Sequence, residues 1–190
     1  ESVQDQTIDK VTCDLLIEPG TYKNVHLLYG NIGKVGISKF VKVFGSTSIL
    51  WLNLGFNKIC DAGITVLMKG LEGSSVNYLD IKANYFSDTG AFSIANALPK
   101  TNISTLDLGN NRLTDIGVTE LFKSFPKAQK LFELFASLLN ITDETIEKIA
   151  PSIGESNLHK LYLGTNLISD VGVLKLCSGV RKINYLHLTF

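Results

Sequence analysis

A single spacing constrains how this chain can fold. A short pattern of leucine and other apolar residues returns with its central position at Val25, Leu52, Leu79, Leu106, Leu134, Leu161 and Leu186. The steps between these positions are 27, 27, 27, 28, 27 and 25 residues. A period of this kind predicts a repeat protein, in which one structural unit is stacked several times. Positions within a unit are numbered below as offsets from its central residue.

The start of each unit predicts a strand and a turn. Apolar residues at offsets zero and two, as in Leu106 and Leu108, predict a short strand with one buried face. Offset five then holds an asparagine in four units: Asn57, Asn84, Asn111 and Asn166. A buried amide at this place can satisfy backbone groups that the turn would otherwise leave unpaired.

The second half of each unit predicts a helix. Offset nine holds Asp61, Asp88, Asp115, Asp143 and Asp170, which we interpret as helix N-caps. Two residues later come Gly36, Gly63, Gly90, Gly117 and Gly172, which indicate close packing of the helix on its neighbour. One apolar stripe follows in the second unit, at Ile64, Leu67, Met68 and Leu71.

No unit of this kind can bury its apolar face alone. Stacked units join their strands into a parallel sheet on the inside of an arc, with the helices outside. The predicted fold is therefore an α/β right-handed solenoid with a concave parallel sheet of about seven strands and helices on the convex side.

The pattern LxxLxLxxNxIxDxGxxxL resembles the ribonuclease-inhibitor-like class of leucine-rich-repeat proteins. It covers residues 22–190, with repeats that start near 22, 49, 76, 103, 131, 158 and 183. Two repeats depart from it. The first has Gly30 and Lys34 in the Asn and Asp columns, and the fifth has Ala136, Leu139 and Thr145 in the Leu, Asn and Gly columns.

Residues 1–21 precede the repeats and are expected to form an N-terminal cap. Ile8, Val11, Leu15 and Leu16 have helical spacing, whereas Val11, Cys13, Leu15 and Ile17 also fit a strand. We favour a helix that covers the first repeat and ends at Glu18-Pro19-Gly20. At the other end a terminal repeat normally needs a polar cap, so we expect a further repeat or a partner to cover it.

Composition argues against several classes of partner. The chain has 18 Lys and Arg and 18 Asp and Glu, so it lacks the basic excess of a nucleic-acid-binding protein. The most apolar stretch, Leu131 to Ile141, is too short to span a membrane. Three widely spaced cysteines form no disulfide framework, which favours a cytoplasmic protein, in a host cytoplasm if it is a secreted effector. We expect Cys177 to pack in the core.

The sequence favours neither catalysis nor a cofactor. Gly30 to Gly36 resembles a phosphate-binding loop but lacks the Ser or Thr after Lys34. His26 and His187 share one column but lie six repeats apart, too far to share a metal ion. An open sheet also offers no pocket that would exclude water from a carboxylate pair. We therefore expect a protein that is not an enzyme and holds no cofactor or metal.

The concave face carries the candidate binding residues. Side chains at offsets minus one, one and three are expected to point there, with offset four in the adjoining loop. These positions hold two aromatic groups, with an acidic pair, Asp80 and Asp107, between them. The full set is Trp51, Phe56, Tyr78, Asp80, Asp107, Phe135, Tyr162, Tyr185 and His187. Such aromatics are typical of binding hot spots, although aromatics also favour strands for local stability. The acidic pair could receive an Arg or Lys of the partner, with Lys82 as a local alternative.

These observations favour a domain that binds another protein through its concave face. The resemblance implies relatives that occlude an enzyme's active site, innate-immune receptors and effectors of intracellular bacteria. A second hypothesis is a GTPase-activating protein, since the Ran-activating type shares this repeat; its acidic tail does not follow the last repeat here. A third is the recognition arm of a larger protein.

Overall fold

The computed structural model describes residues 22–180 and 182–189, and they form alternating strands and helices. The strands are β1 (Asn24–His26), β2 (Trp51–Asn53), β3 (Tyr78–Asp80), β4 (Thr105–Asp107), β5 (Glu133–Phe135), β6 (Lys160–Tyr162) and β7 (Tyr185–His187). The helices are α1 (Lys34–Phe40), α2 (Asp61–Leu71), α3 (Asp88–Ala97), α4 (Asp115–Lys123), α5 (Asp143–Glu155) and α6 (Asp170–Gly179). Short 3-10 turns follow α1, α3 and α4 at Val41–Ser46, Leu98–Lys100 and Phe125–Lys127. The cap predicted for residues 1–21 lies outside the described residues.

All the described strands belong to one parallel sheet, in the order β1 to β7. Each strand pairs with the next one along the chain, and the central residues of the repeats face each other, as Val25 faces Leu52 and Leu52 faces Leu79. The predicted solenoid and its register are thereby confirmed. None of the described helices is long and apolar enough to cross a membrane.

The core lies between this sheet and the helices. In the second repeat Leu52 and Leu54 are fully buried from the strand side, and Ile64 and Leu67 from the helix side. The same columns recur in each repeat, so the buried residues form one continuous cluster along the solenoid. Burial of each such side chain contributes about 1.5–3 kcal/mol, which is the main term that holds the repeats together.

The asparagine column forms a ladder of hydrogen bonds, as predicted. The Asn57 side-chain amide donates to the carbonyls of Leu27 and Leu54 at 2.7 and 2.9 Å, and its oxygen accepts from the backbone N–H of Gly30 at 2.9 Å. Asn84, Asn111 and Asn166 make equivalent bonds to the repeat before them. Each amide therefore closes its own turn and ties it to the preceding one. The first and fifth repeats, with Gly30 and Leu139, supply no such amide.

The aspartate column does not cap its own helix, and this prediction was wrong. Each helix from α2 to α6 begins at the Asp, and the N-cap is the residue before it. The Asp61 carboxylate instead accepts bonds from the next repeat, from the Ser87 N–H at 2.7 Å, the Ser87 hydroxyl at 2.8 Å and the Gly90 N–H at 2.9 Å. Asp88 and Asp143 bond in the same way to Thr114 and Ser169.

The glycine column follows from this bond. A Cβ atom placed on Gly117 would lie 2.1 Å from the Asp88 carboxylate, and one on Gly172 would lie 2.2 Å from that of Asp143. Glycine is required at Gly90, Gly117 and Gly172 because the carboxylate of the preceding repeat occupies the space, whereas a Cβ on Gly63 would meet the Ile59 side chain. The fifth repeat has Thr145 here, and the Thr145 hydroxyl donates to the Asp115 carboxylate. That departure from the repeat pattern therefore keeps the link by other means.

The C-terminal repeat is less enclosed than the inner ones. Leu186 and Leu188 are only half-buried, whereas the equivalent residues of the inner repeats are buried. Cys177 is exposed on α6, so its predicted place in the core was wrong. It lies beside the buried Leu176, on the side of the helix that the core does not reach.

Candidate functional site

The strands present alternate residues to the concave face. In each of β2 to β6 the central residue is buried and the first residue stays exposed or half-buried. Because the register is in phase, the flanking residues of successive strands line up in two rows across the sheet. The candidate side chains occupy these rows and the loops that follow them.

The first aromatic group is a stacked pair across β2 and β3. The Trp51 and Tyr78 rings lie with their centroids 3.5 Å apart and their planes inclined by 12°. Trp51 keeps 39 % of its surface exposed, while Tyr78 is half-buried. Burial, together with the charges of Asp80 and Asp107, raises the pKa of the Tyr78 phenol, so it is a neutral hydrogen-bond donor at physiological pH.

The second aromatic group extends over β5 to β7. Phe135 and Tyr162 stack at 4.1 Å, and Tyr162 also contacts Tyr185 at 5.2 Å and His187 at 5.8 Å between ring centroids. The Tyr162 hydroxyl donates to Glu133 at 3.2 Å, which fixes the ring at its outer end. The predicted neighbours therefore do form one contiguous aromatic surface.

The acidic pair is not exposed as predicted. Asp80 is 1 % exposed and Asp107 is 9 % exposed, and each folds back to accept the N–H two residues ahead, from Lys82 at 3.0 Å and Gly109 at 3.1 Å. Alternation in a strand gives the face of a side chain but not whether its neighbours cover it. The short Asp side chain turns towards its own backbone, as aspartate commonly does at a turn.

Lys82 already occupies the position suggested for a partner's cation. Its ammonium lies 3.1 Å from the Asp80 carboxylate and 3.5 Å from that of Asp107. The Asp80 oxygen it faces has no well-aligned hydrogen bond, so the contact there is an ion pair only. Burial and the charge of Asp80 raise the pKa of Asp107 to about 6 despite this lysine.

Phe56 belongs to a different group from the one predicted. It stacks on Tyr29 at 4.8 Å between ring centroids, in the loop that leaves the sheet, and the Lys82 ammonium lies 5.8 Å from its ring. Tyr85 lies in the next loop, where the guanidinium of Arg112 sits 4.8 Å from its ring. Tyr85 and Arg112 were not identified from the sequence. Both residues lie at offset six of their repeats, and this shared position was the feature of the sequence that predicts their contact.

The described residues contain no cluster of three or more His, Cys, Asp or Glu side chains that could hold a metal ion. The groups that do come together are aromatic rings, backed by single ion pairs such as Lys160 with Glu133 at 3.6 Å. Such an arrangement can bind another surface by stacking and apolar contact, with polar groups at its margin.

Comparison with known proteins gives the fold a name. A family model described as Leucine Rich repeat matches residues 100–122, about one repeat. This is a leucine-rich-repeat fold. A structure of leiomodin-1 actin-binding site 2 is similar with a TM-score of 0.61 and 17 % identity, over 72 % of this chain and 80 % of that one. No significant match is found among curated proteins.

A leucine-rich-repeat internalin from Listeria monocytogenes is also similar. Its TM-score is 0.50 at 21 % identity, over 86 % of this chain but only 38 % of the internalin. The structural similarity establishes the shared leucine-rich-repeat fold. Because the sequence identities are low, the function has to be argued from the residues of the site.

Proposed function

We propose that this chain is a protein-interaction domain that binds a partner protein through the concave face of its sheet. The observation that carries the proposal is the pair of stacked aromatic groups on that face, Trp51 with Tyr78 and Phe135 with Tyr162. Large rings held rigid by stacking lose little conformational entropy on binding, and such anchors commonly supply about 2 kcal/mol or more each.

The region between the two groups refines the proposal. Asp80 and Asp107 are paired with Lys82, so the middle of the face presents the Lys82 ammonium and polar groups such as Thr105. A buried, paired carboxylate cannot receive a partner's Arg or Lys without losing its present partner. We therefore assign binding energy to the aromatic groups and the choice of partner to the polar strip between them.

Finer features belong to the same proposal. A full α-helix in nearly every repeat of about 27 residues supports the ribonuclease-inhibitor-like class. The two structurally similar proteins are an actin-binding site of leiomodin-1 and an internalin. From them we take only the general role of protein binding for this chain. The half-buried Leu186 and Leu188 support a further repeat or a partner over β7. The unpaired thiols of Cys60 and Cys177 support a reducing compartment such as the cytoplasm.

The test is capture of partners from a lysate by the wild-type chain and by a triple variant, Trp51→Ala, Phe135→Ala and Tyr162→Ala, with quantitative mass spectrometry. Phe92→Ala is the matched control, since Phe92 is an aromatic residue about as exposed as Trp51 but on the helical side, in α3. Proteins captured by the wild type and the control should be lost from the triple variant, with circular dichroism showing that all three are folded. Capture that survives the triple substitution at full strength would mean that the concave face is not the binding surface.

A further inference from the structure

A shallow hollow opens where the chain leaves β1 to β3. It has a volume of about 470 Å³, and its lining includes Tyr29, Asn31, Phe56, Lys58, Tyr85 and Asn110. Stacked Tyr29 and Phe56 form one wall, and Tyr85 with the Arg112 guanidinium over its ring forms another. We call this surface, formed by Tyr29, Phe56, Lys58, Tyr85 and Arg112, the loop edge. Its rings are not members of the two aromatic groups on the concave face.

The aromatic residues of the loop edge have unfavourable backbone conformations. Tyr29, Phe56 and Tyr85 have φ angles of 55°, 57° and 63°, in the left-handed region. Glycine and asparagine adopt that region at least cost. At equivalent loop positions of this chain it is adopted by Asn31, Asn110 and Asn140, and also by Ala83, Leu138 and Thr165. Folding alone would therefore favour asparagine here. Tyr29 and Tyr85 are also 68 % and 51 % exposed, so little of either ring is used in the core.

Two basic side chains at the loop edge, Lys58 and Arg112, have no carboxylate partner among the described residues. Lys58 lines the hollow, is exposed, and makes no ion pair with the described residues. Arg112 is also exposed, and the contact described for its guanidinium is with the Tyr85 ring. Lys82, by contrast, is neutralised by two carboxylates.

We infer that the loop edge is a second binding surface, which takes an acidic segment of a partner polypeptide with an aromatic or aliphatic side chain in the hollow. Lys58 and Arg112 pair with the carboxylates, and the rings of Tyr29 and Tyr85 hold the apolar side chain. Asn31 and Asn110 also line the hollow, and an amide side chain can both donate to and accept from a peptide backbone. A nucleic acid fits less well, because it needs a long basic track, whereas Lys58 and Arg112 are two separate cations at this edge.

The probe for this surface is a fluorescein-labelled peptide of repeated Glu-Glu-Phe units, with binding measured by fluorescence anisotropy. Peptides of Lys-Lys-Phe and Glu-Glu-Gly units test the need for the charge and for the ring, and oligothymidine of similar length tests a nucleic acid. Lys58→Glu and Tyr85→Asn are the variants. Lys69→Glu on α2 and Leu138→Asn, which shares the left-handed backbone outside the hollow, are their matched controls.

The Glu-Glu-Phe peptide should bind, and either variant should weaken it about tenfold or more while the controls stay within about twofold of the wild type. Tyr85→Asn should do so without loss of thermal stability, because asparagine suits the backbone. The triple variant of the concave face should bind the peptide normally, which separates this inference from the proposed function. No binding at about 1 mM peptide, equal binding by the variants, or preference for oligothymidine would each overturn it.

Discussion

At the scale of single residues, the molecule keeps a charged cluster in a place where most proteins would use neutral groups. Asp80 and Asp107 face each other across neighbouring strands, with one lysine between them. In the preceding repeat the same position is Asn53, which makes the same bond to the N–H two residues ahead, at 3.0 Å. The backbone therefore needs an oxygen acceptor at this position and does not need its charge.

Replacement of Asp107 by Asn should stabilise the protein at neutral pH. The folded pKa of about 6 lies above the ordinary value of 3.8, so folding favours the protonated carboxyl. The stability that this proton supplies is complete below about pH 4 and is lost as the pH rises through about 6. Asp107→Asn should therefore raise the free energy of unfolding at pH 7 by about 2 kcal/mol and change it little at pH 4.

Urea unfolding at a series of pH values between about 4 and 8 measures this effect. Asn53→Asp is the matched opposite, because it adds a third carboxylate to the same row, and it should destabilise at pH 7. An Asp107→Asn curve that runs parallel to that of the wild type across this range would show that the carboxyl is not perturbed in solution.

At the scale of the elements, neighbouring repeats are joined by the Asp carboxylates at the helix starts. The bond from Asp61 to Ser87 and Gly90 links α2 to the N-terminus of α3, and similar bonds link later pairs. In α6 the corresponding Asp170 has no such bond among the described residues, although it also begins a helix. Asp61 and Asp170 therefore both place an acid in the first turn of a helix, which is favourable. They differ because Asp61 also bonds to the next repeat.

Asp61→Ala should lower the free energy of unfolding by about 2 kcal/mol, because two N–H groups and a hydroxyl lose a charged acceptor. Asp170→Ala is the control that removes only the interaction with the helix dipole, and it should cost much less. Chemical denaturation of both variants gives the comparison. An equal cost for the two would show that the inter-repeat bond contributes nothing measurable.

Some features of the repeats could be predicted from the sequence, and others depend on contacts that the sequence does not reveal. Strands such as β2, with Leu52 at its centre, were placed correctly because an alternation with one buried face has a single register. The role of Asp61 was misassigned because spacing within one repeat does not reveal a bond to the next. The contact of Trp51 with Tyr78 followed from the register, whereas the burial of Asp80 depended on its side-chain rotamer and on Lys82. The left-handed backbone of Tyr85 gave no signal, since such positions are usually recognised by glycine or asparagine.

At the scale of the whole molecule, the two ends of the sheet differ from its middle. Among the described strands, β1 and β7 each pair with a single neighbour. In the first repeat Val25 and Leu27 remain buried, yet Tyr22 and Leu28 are exposed. Residues 1–21 directly precede β1 and are predicted to cover this end as a helix.

Deletion of residues 1–21 should lower the melting temperature, because it would leave the first repeat without its cover. Point variants separate the two interpretations of the segment. Leu16 belongs only to the helical pattern and Ile17 only to the strand pattern. Leu16→Ala should destabilise by about 2 kcal/mol or more if the helix packs on the first repeat, and Ile17→Ala should do much less. A larger effect for Ile17→Ala would favour the strand, and no effect of the deletion would remove the cap altogether.

The bonds of the asparagine ladder and the aspartate links share one property with an evolutionary consequence. Their bonds between repeats join residues separated by 25 to 30 positions, so within the described part of the chain they connect each repeat to its immediate neighbours. A duplicated copy of a repeat that keeps both columns, such as the second or the third, would therefore find its donors and acceptors again in the unit beside it. Gene duplication can lengthen such an arc one step at a time, and so change the distance between the Trp51 and Tyr162 anchors without redesign of either.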